Sequence, residues 1–547
     1  MLPFLTLGFA LVALTALTAV AARRLQLPHS IVLVVVGTAV AFVPGLPPVT
    51  LDPELVLLLF LPPLLYSSGV GMSWRGFRAE LRPIMLLAVG CVLFTAAAVA
   101  AVGHWLLGLP WAVSFILGAV VSPPDAVAPM AIARRLAVPE RVLVILEGEG
   151  LVNDATALIL FSFAVAAVTS GRFSLAAAVG TFALIVATEI LWGLAAGWAA
   201  LRLRHWARDP QVEIALALLT PYLAFWPPHA MGGSGVIATV AAGLYVSWNG
   251  PRLISPATRL QGFFVWGLVV GLVEGLVFLL TGLQARAVAF GNRAEGWTSL
   301  VLAGLLTCAV VITVRFLWVF PATYLPRWLS ARLRTRDPAP PWQVAFMVGF
   351  TGIRGVVSLA AALSIPLQVA GGPFPGRDLI LFATFCVIVV TLVGQGAALP
   401  RVIGWLGLDA AGRAEAAANK RHEVLARIEG VEAALARLEE LEGGEVSEDA
   451  VTALRSLHLD RRAQFAGTVD DAIPGSPLAR EAALQMQLLA AERSALARLY
   501  AADGVTDEAR RRIERELDLE DARIRHVVES ATGHWIAADP ESEAWRG

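Results

Sequence analysis

The segment Leu146-Glu147-Gly148-Glu149-Gly150-Leu151-Val152-Asn153-Asp154-Ala155-Thr156-Ala157 decides how this chain is read. It lies inside an apolar run, residues 142–169, long enough to cross a bilayer once as a helix. An acid at mid-span costs about 2.5–3.5 kcal/mol on insertion scales, so each one needs a cavity or a partner. A helix that merely packs has no use for three carboxylates and an amide within eight residues. At the helical period, Glu149 and Asn153 share one stripe, and Glu147, Gly150 and Asp154 share another. Glu147 thus stands two turns, about 10 Å, from Asp154 on the same face. Gly148 and Gly150 leave room for close backbone approach.

The rest of the chain has the same character up to about residue 408. Of its 547 residues 57% are apolar and the mean hydropathy is +0.69, which points to a membrane protein. The net charge of −1 excludes nothing by itself. The sequence predicts thirteen spans, at about 2–22, 30–45, 53–70, 83–107, 111–133, 142–169, 174–201, 210–226, 231–247, 260–283, 297–320, 342–369 and 378–400. With the N-terminus outside, the inner loops carry Arg23 and Arg24, then Arg75, Arg78 and Arg82, then Arg134, Arg135 and Arg141. Further inner loops carry Arg202, Arg204 and Arg208, Arg252 and Arg259, and Arg327, Arg332, Arg334 and Arg336. The outer loops hold only Arg172, Arg286, Arg293 and Arg377, a positive-inside asymmetry. It predicts an inner-membrane protein with its N-terminus outside and its C-terminus cytoplasmic. The first run lacks the basic head of a cleavable signal peptide and reads as a retained span.

An odd count permits two inverted six-helix repeats joined by the seventh span. The fifth span is interrupted by Pro123 and Pro124, and its counterpart, the twelfth, around Gly352 and Gly355. Breaks at matching positions point to a transport site. Pro removes amide donors, so an Asp125 next to the break sits among free carbonyls that need a polar surrounding. Arg354, in Gly352-Ile353-Arg354-Gly355, requires a counter-charge, for which Glu149 and Glu147 are the candidates. Cys91, Cys308 and Cys386 lie in apolar runs without metal-type spacing and read as packing residues.

Residues 409–547 are rich in Ala, Glu, Arg and Leu, with helical spacing at Leu425, Ile428, Val431, Leu435 and Leu438. Gly443-Gly444 and Pro474-Gly475 punctuate them. This predicts a cytosolic domain of about four helices behind a transmembrane domain at 1–408. Without a strand–GxGxxG–helix pattern, no nucleotide partner is expected. Nothing in the chain suggests a nucleic-acid partner.

Three segments carry a family resemblance. Ser122-Pro-Pro-Asp-Ala-Val-Ala128, Glu147-Gly-Glu-Gly-Leu-Val-Asn-Asp-Ala-Thr-Ala-Leu158 and Gly352-Ile-Arg-Gly-Val-Val-Ser-Leu-Ala-Ala-Ala-Leu363 resemble the NhaP/NHE-type cation:proton antiporters. Leu61-Pro-Pro-Leu-Leu65, Gly233-Ser-Gly-Val-Ile237, Gly275-Leu-Val-Phe-Leu279 and Arg315-Phe-Leu-Trp-Val-Phe-Pro321 match as well. The resemblance spans residues 1–408 in order. It implies an all-α fold with crossed broken helices, a homodimer, and exchange of Na⁺ or Li⁺ for H⁺ without a cofactor. K⁺/H⁺ exchange is the alternative within the family. Carried over by motif, Asp154 would take Na⁺ and H⁺ in turn, Asp125 would shape the site, and Asn153 would mark an electroneutral exchanger. Glu149 and Arg354 would form an ion pair, and Glu147 would line the cytoplasmic approach. Gly150 and Pro124 stand where many members have Ser and Thr, which removes two hydroxyls from the expected ligand set. Glu274 stands where many have Asn; it is either paired, with Arg315 one span on, or protonated. Glu189 and Glu213 read as structural or interfacial.

Other classes fit less well. An intramembrane aspartyl protease would bring two aspartates together, but the chain lacks the Gly-x-Gly-Asp element and the class leaves Arg354 unexplained. A channel needs a carbonyl filter or a wide polar path. An organic-anion carrier would favour basic or hydroxyl-rich sites over acids.

Overall fold

The computed structural model describes residues 2–25, 27–44, 53–171, 174–290, 296–369, 372–441, 447–467, 477–502 and 505–532. Arg172, Arg293, Gly443-Gly444 and Pro474-Gly475 lie outside the described residues. The chain forms two compact units, Met1–Arg413 and Ala414–Gly547. One helix, Leu408–Leu441, contributes residues to both.

Among its described residues the first unit is helical apart from a two-stranded antiparallel ladder, which pairs Gln368 with Pro373 and Val369 with Gly372. Among the described residues, six helices are long and apolar enough to cross a membrane: Leu81–Trp105, Glu140–Ser170, Leu175–Ala207, Pro256–Ala289, Trp297–Leu329 and Arg377–Leu406. Shorter apolar helices include Gly8–Ala22, His29–Ala41 and Trp111–Val121. This is a multi-pass membrane protein. In such a setting, close packing and satisfied backbone groups hold helices together more than exclusion from water does.

Both expected interruptions are present. Trp111–Val121 and Val127–Arg135 are separated by the Ser122–Ala126 stretch, where the two prolines break the ladder. Trp342–Phe350 and Val356–Leu363 flank the second break. The two breaks touch: the Asp125 amide donates to the Ile353 carbonyl at 2.7 Å. A Cβ on Gly355 would collide with the Asp125 carboxylate, so only glycine permits this approach. Ile116, Leu117 and Val121 pack with Val311, Ala362 and Ile380 on one side of the junction. Ile145, Leu146 and Met347 pack with Leu399 and Ile403 on the other.

Glu189 is structural, and it explains the Gly233-Ser-Gly-Val-Ile237 motif. Its buried carboxylate accepts the amides of Ser234, Gly235 and Ile237 at 2.6, 3.0 and 3.1 Å, and the Ser234 hydroxyl as well. These are the unpaired donors at the start of the Val236–Leu253 helix, where a negative charge is favoured. Glu189→Ala strands buried donors and should cost about 3 kcal/mol or more in stability. Glu189→Gln, which keeps one acceptor oxygen, should recover part of that loss. Thermal melts of the purified variants check both, and an unchanged melt for the alanine variant would refute the capping role. Glu213 is buried in the first turn of Pro210–Ala230, where a carboxylate suits the helix dipole.

The second unit contains the rest of Leu408–Leu441 together with Glu448–Gly467, Pro477–Ala501 and Asp507–Thr532. Ala482, Leu489 and Leu496 pack against Leu517 and Ile524. In the Leu408–Leu441 helix the buried stripe runs through Val424 and Val431, while Leu425 is exposed. The expected stripe was one residue off at its start. Val424, Ile428, Val431, Leu435 and Leu438 alternate steps of four and three residues, and Leu425 lies 100° away from that line.

Candidate functional site

The two stripes of the Glu140–Ser170 helix face different surroundings. Glu149 and Asn153 are turned into protein and are fully buried. Glu147, Gly150 and Asp154 line a cavity of about 320 Å³, together with Asp125 and Glu274. Four carboxylates thus share one cavity whose other walls are mainly apolar, among them Leu61, Leu65 and Phe278.

Each carboxylate has a distinct setting. Asp125 Oδ1 accepts the Val127 amide at 2.9 Å, at the amide start of the second half of the first broken helix. Glu147 is held by Arg134, whose Nη2 lies 3.1 Å from both carboxylate oxygens. Asp154 has no ion pair or hydrogen bond among the described residues. The same holds for Glu274, which sits on the Pro256–Leu283 helix across the cavity. Arg315 is not its partner.

The expected Glu149–Arg354 pair is not formed. Glu149 instead takes a two-pronged ion pair from Arg315, Nη1 to Oε1 at 2.6 Å and Nη2 to Oε2 at 2.7 Å. The side chains are 2% and 1% exposed, so the pair is fully desolvated. Arg315 Nε also donates to the Val348 carbonyl at 3.0 Å, fastening the first half of the second broken helix. Arg354 has another task. Its Nε donates to the Val121 carbonyl at 3.0 Å, Nη2 reaches Ser122 O at 3.4 Å, and Nη1 donates to Gly352 O. Its own amide donates to Thr391 Oγ1 at 2.9 Å, within a π-helical turn, Val390–Gln395. A guanidinium is thereby placed at the carbonyl end of Trp111–Val121, and the Asp125 carboxylate at the amide start of Val127–Arg135. Each charge meets the helix terminus of opposite sign. The break in the first helix offers a terminus to each charge, one from its own chain segment and one, Arg354, from the second break.

Asn153 Nδ2 donates to the Pro124 carbonyl at 2.6 Å, while its Oδ1 is buried with no partner among the described residues. The asparagine is therefore a brace for the break and does not line the cavity. Gly150 has a steric reason. A Cβ there would come within 2.6 Å of Ala126 Cβ, so a serine in its place does not fit this approach without movement. Sequence reasoning did not assign Arg134 and Thr391. Arg134, an inner-loop charge by sequence, lies in the last turn of the helix that begins at the break.

Residues 10–405 match the profile of the sodium/hydrogen exchanger transmembrane family. A Mycobacterium tuberculosis protein named as an uncharacterized Na⁺/H⁺ exchanger is 35% identical over 431 residues, 78% of each chain. A Bacillus subtilis protein named as a sodium, potassium, lithium and rubidium/H⁺ antiporter is 33% identical, covering 71% of this chain and 61% of its own. The solved structure of the sodium proton antiporter MjNhaP1 from Methanocaldococcus jannaschii superposes with a TM-score of 0.58 at 18% identity, over 74% of this chain and 98% of that one. That likeness concerns the fold.

Proposed function

Since the chain belongs to the sodium/hydrogen exchanger family, we propose that it exchanges Na⁺, or Li⁺, for H⁺ across the inner membrane, one for one, at Asp154. The observation that carries this reading is the division of labour among the acids. Along the Glu140–Ser170 helix, Glu149 is neutralised by Arg315 and Glu147 by Arg134, while Asp154 faces the cavity beside Asp125 with no partner among the described residues. One carboxylate can be neutralised by one small cation or by one proton. If the site is exposed to each side of the membrane in turn, that competition couples the two flows without a further device. Asp125, the break carbonyls and water would complete the shell of Na⁺, as hard oxygen ligands do.

The wider reading includes thirteen spans in two inverted repeats, an N-terminus outside and a homodimer. The positive-inside asymmetry, the two broken helices that meet at Asp125 and Ile353, and the family resemblance support it. In the same reading, Ala414–Gly547 is a cytosolic helical module. The exchange serves pH and sodium homeostasis. The name of the Bacillus subtilis relative favours K⁺ as a second substrate. Dequenching of a ΔpH-sensitive dye in proteoliposomes, with Na⁺, Li⁺ and K⁺ added separately, decides among the cations and tests exchange as such.

Electroneutrality gives a sharper test. It requires Asp125, Glu147 and Glu274 each to keep one protonation state through the cycle; Asn153 carries no proton in either state. A Na⁺ jump on a solid-supported membrane should then give no sustained current, with the rate indifferent to a valinomycin-clamped potential. A sustained current that disappears in Glu147→Gln or Glu274→Gln would refute the one-for-one ratio and name the second proton carrier.

A further inference from the structure

Away from the cavity, three arginines from three elements close on Asp337, in the loop that precedes the second broken helix. Arg327 donates Nη2 to Asp337 Oδ2 at 2.7 Å and Nε to the Asp337 backbone carbonyl at 3.0 Å. Arg82 donates Nη2 to the same carboxylate oxygen at 3.0 Å. Arg141 donates Nη2 to Oδ1 at 2.8 Å and also to Glu80 Oε2 at 3.0 Å. Burial pushes the Asp337 carboxyl up, but the hydrogen bond from Arg141 and the charges of Arg327, Arg141 and Arg82 outweigh it and hold it below the usual carboxylate range. The cluster sets three arginines against two carboxylates, Asp337 and Glu80, one basic side chain in excess. Arg82 Nη1 is buried with no acceptor among the described residues.

A cavity of about 50 Å³ opens beside this cluster, lined by Arg82, Arg141 and Arg327 on one side and by Leu86, Val319 and Val344 on the other. Met85, Leu325, Trp328 and Leu329 lie on the same helix ends and are exposed apolar side chains. Trp and aliphatic residues beside arginines mark the level where a bilayer meets water. Surplus positive charge, an unused guanidinium donor, a small cavity and an apolar flank are the elements of phosphate recognition at a membrane.

We propose that the Arg82–Arg141–Arg327 cluster binds the phosphate group of an anionic phospholipid. Inorganic phosphate shares this chemistry, but the placement at the bilayer boundary favours the lipid. The bound group would cross-link the start of the Glu140–Ser170 helix, which carries Glu149 and Asp154, to the end of the Trp297–Leu329 helix, which carries Arg315. The headgroup thereby stiffens the frame of the cavity without entering it.

Delipidated full-length protein in neutral detergent provides the test, by thermal unfolding with dioleoylphosphatidylglycerol, dioleoylphosphatidylcholine or sodium phosphate. The anionic lipid should raise the melting temperature by about 3–6 °C and the zwitterionic lipid should not. Arg82→Gln should lose most of that increment. An equal rise with sodium phosphate alone upholds the site and makes its ligand a soluble anion. Native mass spectrometry of the wild-type protein in an equimolar lipid mixture gives a readout independent of the variant, with one phosphatidylglycerol retained per chain. Equal effects of the two lipids, or an increment left intact in Arg82→Gln, would overturn the proposal.

Discussion

Asp154→Asn abolishes cation-driven proton flux and leaves a folded protein. Flux should fall to the level of empty proteoliposomes, because the substitution removes the one cavity-facing charge on its helix that no side chain neutralises. Asn keeps the shape and the polarity but can neither release a proton nor balance a bound cation. Folding should not suffer. Asp154 takes part in no hydrogen bond or ion pair among the described residues, so nothing is orphaned, and removing an unpaired charge from a half-buried position in a mainly apolar cavity favours the folded state. The melting temperature should stay level or rise. Asp125→Asn is the informative contrast. Its side-chain oxygen still accepts the Val127 amide, so the break survives, while the charge beside Asp154 is lost. Exchange should weaken through apparent cation affinity before it is lost altogether. Robust Na⁺-driven flux in well-folded Asp154→Asn would sink the assignment of the carrier.

Much of this site follows from helical arithmetic. Glu147, Gly150 and Asp154 do line one cavity, and Glu149 and Asn153 do point the other way, because a period of 3.6 residues separates the two sets by angle alone. The breaks were legible for a similar reason, since Pro123 and Pro124 cannot continue a hydrogen-bond ladder. Partners across helices were not legible. Arg315 and Arg354 are both buried arginines, and the sequence contains no distance from either to Glu149. Arg354 sits inside a break, and broken helices leave carbonyls that need donors, the argument already applied to Pro124 and Asp125. Carried to the second break, it assigns Arg354 to carbonyls and leaves Arg315 for Glu149. The loop that carries Asp337 shows the limit from the other side. Its three arginines come from positions 82, 141 and 327, which the order of the chain cannot bring together.

The exchanged partnership gives the largest expected effects on stability. Glu149→Ala and Arg315→Ala should each destabilise the protein by about 3–5 kcal/mol, because each leaves a fully buried charge without its counter-ion. Arg315→Ala should be the worse of the two, since it also releases the Val348 carbonyl. The double substitution Glu149→Leu with Arg315→Met removes both charges together and should cost less than either alanine variant. Arg354→Ala acts by another route, leaving the carbonyls of Val121, Ser122 and Gly352 without their donor, so its cost should add to that of Glu149→Ala. A double-mutant cycle separates these accounts. The coupling between Glu149 and Arg315 should amount to several kcal/mol, and that between Glu149 and Arg354 should be a small fraction of it. Apparent Na⁺ affinity should shift little in any variant that still folds, because neither Glu149 nor Arg315 faces the cavity. Thermal or denaturant melts in one detergent supply all the free energies. Equal coupling of Glu149 to the two arginines would mean that both share its charge, and that the bidentate geometry at 2.6 and 2.7 Å is only one of the arrangements the core adopts.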